Sequence, residues 1–376
     1  MGEQSSVLVT GGAGFIGSHL VDRLVAAGNR VRVLDSLEQQ VHGSSSGHRN
    51  GEAEYFEGSI LDRELLAECL VGVQRVVHLA AQVGVGQSMY EICHYVRDNC
   101  LGTATLLELL SERRDSIDSL VVASSMSIYG EGAYRCEACG SSDAAVVRRL
   151  EALELRQWDP VCRNCGTTAR PIPTPERTQL ECGSVYAVSK RDQEELCLAV
   201  GRAYGIRTVA LRFFNVYGPR QSLSNPYTGV AAIFLSRLLN GSAPVVFEDG
   251  LQSRDFVHVA DIVQGIELAL GADSVDGVAL NIGTGSPTTV LDIARTLSER
   301  LGLQADPEIV QRFRHGDIRH CYADISAAKT LLGYRPTISL EDGMVDLIEW
   351  TRREAPEAED RTEASSAQLT ERGLVV

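Results

Sequence analysis

The chain has 376 residues, 44% of them hydrophobic, and its 35 lysines and arginines face 50 aspartates and glutamates, a formal charge of −15. That length suffices for one large α/β domain with a second lobe, and the acidic balance, with no Lys/Arg block, argues against a nucleic-acid surface. No apolar run approaches the roughly 20 residues needed to span a membrane, and the N-terminus lacks a signal peptide's basic and apolar regions; a cytoplasmic protein that contacts neither nucleic acid nor membrane is expected.

Val7-Leu8-Val9-Thr10 is a β-branched, apolar run of the kind that forms a buried parallel strand over 6–10. It stops at Gly11, Gly12, Gly14 and Gly17, and Ile16, Leu20 and Leu24 then mark an apolar-periodic helix over 14–28. Strand, glycine turn and helix are the context that a Gly-x-Gly-x-x-Gly match (Gly12, Gly14, Gly17) requires. The glycines allow a tight turn and let backbone N–H groups approach a pyrophosphate. The helix N-terminus adds its partial positive charge. A second strand, 30–35, ends in Asp35, where an acidic residue is expected to hold the adenosine ribose hydroxyls. Its carboxylate would repel a 2′-phosphate, which favours NAD over NADP.

Further strands are predicted over 53–57, 75–80, 119–124 and 207–212, with helices over 61–71, 88–112 and 184–204. Alternation of this kind predicts a doubly wound parallel sheet, the Rossmann arrangement. Beyond Asn215-Val216-Tyr217-Gly218-Pro219-Arg220 the pattern loosens, with one more strand at 278–283 and helical segments in 289–302 and 323–350. We therefore expect an NAD-binding domain over 1–215, rejoined by 255–285, and a smaller α/β substrate lobe from 216–254 and 286–352. The tail from 353 to 376 is rich in Glu, Arg, Ala, Ser and Thr, offers little to bury, and is expected to be disordered.

Two local constellations carry chemistry. Tyr186 and Lys190, at i and i+4 near the start of a helix, share one face. An ammonium beside a phenol favours the phenolate and lowers its pKa, giving a base usable near neutrality. Ser125 ends the strand at 119–124, at the edge where ligands gather in such sheets, and can share the oxygen that Tyr186 would deprotonate. The second constellation is Cys136-x-x-Cys139-Gly140 followed by Cys162-x-x-Cys165-Gly166. Within an insertion at 133–170, this is close to the spacing of a closed, structural four-cysteine zinc ribbon, with redox dithiols as the other reading. Most of the remaining cysteines (Cys69, Cys93, Cys100, Cys182, Cys197, Cys321) have no ligand-like spacing and read as small buried hydrophobes.

From Val7 to about Trp350 the chain resembles the extended short-chain dehydrogenase/reductases, specifically their nucleotide-sugar epimerases and dehydratases. The likeness is carried by Thr10-Gly11-Gly12-Ala13-Gly14-Phe15-Ile16-Gly17, His78-Leu79-Ala80-Ala81, Ser124-Ser125-Met126-Ser127-Ile128-Tyr129-Gly130, Tyr186-x-x-x-Lys190, Leu211-Arg212-Phe213-Phe214-Asn215-Val216-Tyr217-Gly218-Pro219 and Arg254-Asp255-Phe256-Val257-His258-Val259. The resemblance implies that Tyr186 transfers the proton, that Lys190 activates it and binds the nicotinamide ribose, and that Ser125 is the hydroxyl partner. It places NAD against Gly11, Gly14, Phe15, Ile16, Gly17, Asp35, Ile60, Leu61, Asp62 (near the adenine), Leu79, Ala80, Ala81, Asn99, Tyr186, Lys190 and Phe213. It places the substrate against Gln82, Ser125, Met126, Asn215, Arg254 and Arg314, the arginine forks suiting diphosphate oxygens.

Met126 and Ser127 stand where the resembling 4,6-dehydratases carry Asp-Glu, decarboxylases a Glu and fucose synthases a Cys. Neither residue titrates usefully, so the oxidise-and-reduce core remains, pointing to epimerisation through a 4-keto sugar. The loop Gln40-Val41-His42-Gly43, residues 125–132 and the cysteine insertion together resemble the dTDP-L-rhamnose 4-epimerases. A UDP-hexose 4-epimerase, a nucleotide-sugar dehydratase and a silent NAD-binding scaffold are the alternatives. A homodimer through the helices around 88–112 and 184–204 is implied by the same resemblance.

Overall fold

The computed structural model describes residues 5–43, 47–354 and 358–376. Seven parallel strands form one sheet, in the spatial order Val278–Ile282, Arg207–Phe213, Ser119–Ser125, Arg75–His78, Ser6–Thr10, Arg30–Asp35, Glu54–Glu57. The chain winds outward from Ser6–Thr10 and then crosses to the other side, so the strand order reverses beside that strand, where crevices form in such sheets. Val7, Leu8 and Val9 are fully buried because helices cover both faces. Phe15–Ala26 and Val259–Gly271 pack one face through Leu20, Val21, Ile262 and Ile266. Arg63–Cys69, Gly102–Glu112 and Val185–Tyr204 cover the other through Leu66, Leu106, Leu110 and Cys197. Full burial of each such aliphatic side chain is worth about 1.5–3 kcal/mol.

Register aligns the strand ends. Thr10 lies opposite Leu34 and His78, His78 opposite Val122, and Phe213 opposite Ser125 and Ile282. Every loop leaving these ends therefore opens on one edge of the sheet.

A smaller four-stranded sheet of Asn215–Tyr217, Ser253–His258, Pro287–Thr289 and His320–Cys321 lies beside it. Helices Val230–Leu239, Val290–Leu301 and Leu340–Glu354 pack together through Phe234, Leu235, Ile293, Leu297, Leu347 and Ile348. Within 255–285, the helix and last strand sit on the large sheet while residues 255–258 run in the small one. The cysteine insertion stands on an antiparallel stem, Ala133–Arg135 against Arg170–Ile172, and carries a second hairpin, Val146–Val147 against Val161–Cys162. Among the described residues no helix is long and apolar enough to cross a membrane.

Three expectations are corrected. The helix over 88–112 is instead four pieces: Val85–Ser88, Ile92–Tyr95, a π-helical turn Val96–Leu101, and Gly102–Glu112. The chain turns at 89–91, where the Tyr90 hydroxyl leaves to meet that of Tyr227 at 2.6 Å. The tail is ordered over its described residues: Thr362–Glu371 is a helix, and Leu369 and Val375 bury against Phe247. A few apolar residues, anchored by the buried Arg237–Asp360 pair at 3.0 Å, suffice where composition suggested nothing to bury. Residues 355–357 of that tail lie outside the described residues. Of the six other cysteines, only Cys69, Cys197 and Cys321 are buried; Cys93 is exposed, and Cys100 and Cys182 are half-buried.

The glycine turn is packed to its limit. The Gly11 N–H donates to the Leu34 carbonyl at 2.8 Å, and its φ of 71° is a left-handed value that suits glycine. A Cβ on Gly17 would stand 2.2 Å from the Gly11 carbonyl oxygen and 2.6 Å from Gly12 Cα, both backbone atoms that cannot yield alone. Gly17→Ala should therefore push the helix off the turn and yield protein without bound dinucleotide. Liquid chromatography of acid-extracted cofactor checks this; wild-type occupancy in the variant would show that the turn can open.

Candidate active site

The loops at the sheet's carboxyl edge enclose a cavity of about 1860 Å³. Small-molecule sites run to roughly 300–1,000 Å³, so this one has room for two ligands side by side. On one side stand Gly11, Gly14, Phe15, Ile16 and Gly17, where the helix Phe15–Ala26 begins with no side-chain cap on its first N–H groups. Uncapped N–H groups at a helix start are an anion site. Asp35 closes this side, accepting the Ala13 N–H and the Leu37 N–H, each at 2.9 Å. Burial alone would raise its pKa, but His42 and those two N–H groups hold the carboxyl below its ordinary value.

Across the cavity the helix Val185–Tyr204 starts at Ser184, whose hydroxyl accepts the Ala187 N–H at 3.1 Å. Tyr186, on its first turn, is seated by two residues the sequence did not single out. Its N–H donates to Ser88 Oγ at 3.0 Å, and its ring meets the Tyr95 ring edge-on at 6.4 Å. Its phenol faces Ser125, which draws its pKa down. Ser125 in turn accepts from Ser127, through Oγ at 2.9 Å and N–H at 3.2 Å. Ser127 thus fixes the serine rotor.

One electrostatic expectation is corrected. Lys190 Nζ donates to Gln193 Oε1 at 2.7 Å, and burial drives its pKa down to about 8. The Tyr186 phenol is raised by burial, with only Ser125 drawing it back. The shared helix face puts tyrosine and lysine on one wall, but burial, not the ammonium, sets the direction of the tyrosine's shift.

The cavity lining also contains Ile60, Leu79, Ala80, Ala81, Gln82, Met126, Phe213, Asn215, Arg254 and Arg314, all singled out in the sequence. Three others are not on it. Asp62 accepts the Leu65 N–H through Oδ1 at 3.1 Å, capping the helix Arg63–Cys69, and Leu61 beside it is also off the lining. Asn99 is fully buried behind the wall, accepting the Gln82 N–H at 2.7 Å and donating to Ser189 Oγ at 2.9 Å. It shapes the loop at Gln82.

Three amide oxygens on the lining, of Asn215, Gln221 and Gln252, are buried without a hydrogen-bond partner among the described residues. An unpaired buried acceptor costs about 1–3 kcal/mol. Arg314 stacks its guanidinium on the Phe247 ring at 4.1 Å and faces the opening. Arg254 is turned inward, donating to Asp317 Oδ1 at 3.1 Å and to the carbonyls of Ser253, Ile318 and Arg319. Gln221, Gln252 and Phe247 escaped the sequence reading because no spacing marks them.

The tail forms the remaining wall. Gln368 accepts from both Tyr90 and Tyr227, at 2.9 and 3.0 Å, and the Phe313 and Val376 backbones bond each other, both at 3.0 Å, beside Arg314.

In the insertion, the sulfurs of Cys136, Cys139, Cys162 and Cys165 lie within 4.8 Å of one another. Cys136 to Cys165 is 3.4 Å and Cys139 to Cys162 is 3.8 Å. Four thiolates around one tetrahedral metal at 2.3 Å would stand about 3.8 Å apart, whereas a disulfide needs about 2.05 Å. Gly140 and Gly166 adopt φ of 72° and 73°, making the knuckle turns. The donor set fits a thiophilic ion.

A doubly wound sheet with serine, tyrosine and lysine at its carboxyl edge has the architecture of the extended short-chain dehydrogenase/reductases. The chain belongs to the NAD dependent epimerase/dehydratase family, whose model matches residues 7–146 and 164–283, more than half of its length. The break in that match falls inside the cysteine insertion. The dTDP-L-rhamnose 4-epimerase of Burkholderia thailandensis is 35% identical over 93% of this chain and 95% of its own. The UDP-glucose 4-epimerase of Thermotoga maritima, solved with UDP-glucose, is 32% identical with a TM-score of 0.76, covering 93% of this chain and 99% of that one. MoeE5, solved with UDP-glucuronic acid and NAD, is likewise 32% identical with a TM-score of 0.73, and covers the same shares.

Leu369→Asp should set a charge against Phe247 and release the tail from the cavity. Limited trypsin digestion should then cut at Arg361 and Arg372 faster than in wild type. An unchanged digestion pattern would mean that the tail is held without Leu369.

Proposed function

We propose that this chain is an NAD-dependent nucleotide-sugar 4-epimerase acting through a transient 4-keto sugar, with dTDP-L-rhamnose and dTDP-6-deoxy-L-talose as its sugar pair. The observation that carries the reaction class is the setting of Ser125, Tyr186 and Lys190 on a two-ligand cavity in which Met126 and Ser127 occupy the positions next to Ser125. Without a titrating group at those positions, water elimination lacks its acid and base. The sugar assignment is supported by the Burkholderia relative; the Thermotoga likeness favours UDP-glucose as the second reading.

The turn Gly11–Gly17, Asp35 and the wall at Ile60, Leu79, Ala80 and Phe213 would hold NAD. Bound there, it would take the hydride from carbon 4 and return it to the opposite face. The protein's own side chains handle the proton and the pose. Tyr186 would first have to ionise, against the rise that burial gives its phenol; its Oη would then accept the proton of the 4-hydroxyl, with Ser125 sharing the same hydroxyl oxygen, and give the proton back on return. Asn215 and the two arginines, Arg254 and Arg314, would fix the diphosphate while the sugar turns.

The cysteine quartet would hold one structural zinc. Ile92, Val96, Leu101 and Val188, apolar yet about half exposed on adjoining helices, support a homodimer through that face.

Tyr186→Phe keeps the ring and removes the proton acceptor. It should cut turnover by about 10²–10⁴-fold with bound NAD retained, as read by NMR of products from a panel of dTDP- and UDP-sugars. Activity near wild type would remove Tyr186 from the mechanism, and net build-up of NADH would show a dehydrogenase. Metal analysis of protein purified without added metal should find about one zinc per chain, lost in Cys162→Ser; a metal-free wild type would overturn the assignment.

A further inference from the structure

The insertion reaches well beyond its cysteines. Val146 is paired with Cys162 in its second hairpin, and two residues on stands Arg148, whose side chain is almost wholly buried. Arg148 donates through Nε to the Trp158 carbonyl at 3.0 Å and through Nη1 to the Asp317 carbonyl at 3.0 Å. Its Nη2 meets the Glu248 carboxylate, and Glu131 lies 3.5 Å away. Asp159, also of the insertion, takes Arg319 Nε at 2.9 Å, while Trp158 packs its ring against Phe313 at 6.3 Å, next to Arg314.

These contacts converge on the cavity. Glu248 holds Arg148 with one carboxylate oxygen and Arg319 with the other, the latter at 3.1 Å. Its φ of 53° lies in the left-handed region, which side chains other than glycine rarely adopt. Two arginines and a hydrogen bond from its N–H to the Arg312 carbonyl at 2.7 Å keep it there. Arg319 also binds Asp249, and its backbone carbonyl receives Arg254 Nη1 at 3.1 Å. Asp317, whose carbonyl Arg148 holds, takes Arg254 Nη2 on its carboxylate. The cluster sets three arginines (Arg148, Arg254, Arg319) against five carboxylates (Glu131, Asp159, Glu248, Asp249, Asp317). Removing Arg148 would leave Glu248 with Arg319 alone and Glu131 with only the Arg319 N–H and the Tyr134 hydroxyl, and would deepen the negative excess behind the one arginine of the three that lines the cavity.

We propose that Arg148 is a positioning residue for substrate: by clamping Asp317 and Glu248 it fixes the Arg254 guanidinium, so the insertion sets the cavity's affinity for a nucleoside diphosphate. This rests on the reading of the cavity as a nucleotide-sugar site. Truncating one partner of a buried charge network is costly because the other charges stay buried.

The test uses the NAD-loaded protein as purified and titrates UDP and dTDP by calorimetry into wild type, Arg148→Met and Arg148→Lys. Arg148→Met should weaken both nucleotides alike, by roughly tenfold to a hundredfold, with Arg148→Lys recovering part of the loss. In turnover, KM should rise by a similar factor while kcat moves far less, and NAD content should not change. Should Arg148→Met fail to fold, Asp159→Asn, at a half-exposed partner, should give a smaller loss in the same direction. Wild-type affinity in a folded Arg148→Met, or equal falls in kcat and NAD content, would reduce the insertion to a structural part and overturn the proposal. A wild type that binds neither nucleotide would sink the functional reading instead.

Discussion

Lys190 is held in place by a chain of buried side chains that begins on the strand carrying the glycine turn. Thr10 Oγ1 lies 2.7 Å from His78 Nδ1, and His78 Nε2 lies 2.9 Å from Thr103 Oγ1 and 3.2 Å from Gln193 Nε2. Gln193 then takes the ammonium of Lys190. Burial, reinforced by the charge of Lys190, drives His78 down to about 3, so its ring is neutral and must accept at one nitrogen and donate at the other. Each member has a partner only if strand, helix and loop keep their relative places. The chain therefore couples the glycine turn to the helix carrying Tyr186 and Lys190, and loss of one link would leave a buried polar group unpaired, at about 1–3 kcal/mol.

A second tie joins the same helix to the strand ends. Glu194 accepts from Arg212, at 2.5 Å for Nη2 and 3.0 Å for Nε, and from Ser124 Oγ at 2.6 Å, while Arg212 lies over the Tyr129 ring at 5.0 Å. A buried pair of this kind adds little net stability but is expensive to break. Its role is to hold one arrangement. The residues of the cavity walls differ in character: the buried amide oxygens of Asn215, Gln221 and Gln252 have no partner among the described residues, whereas Arg254 is already engaged by its own chain.

What could be read in the sequence was local. The first strand, the glycine turn and its helix are legible because alternation, turn chemistry and helical period occur within about twenty residues. Tyr186 with Lys190, and the two cysteine knuckles, are short-range patterns of the same kind. Ser88, Tyr95, Gln193, Gln221, Gln252 and Phe247 were not legible. Each acquires its place from a partner far along the chain, as with Gln193 and His78, and an isolated glutamine carries no spacing signal. Asp62 shows the ambiguity of a carboxylate before a helix, which serves as a cap, as a ligand or as both; here one of its oxygens takes the Leu65 N–H. The tail misled because its composition is that of a disordered segment, while the apolar patch it covers belongs to residues far back along the chain, Phe247 among them.

The π-helical turn at Val96–Leu101 places Asn99 inside the wall by accommodating one more residue than an α-turn would. Each residue of an α-helix advances the face by about 100°. Deleting any one residue there would regularise the helix and swing Tyr95, which seats the Tyr186 ring, round to another side, although no contacting side chain had been altered. This stretch should tolerate exchange of residue type at its exposed positions and resist changes in residue number. Among related chains, gaps should then collect at its ends, near 89–91, and spare the turn itself.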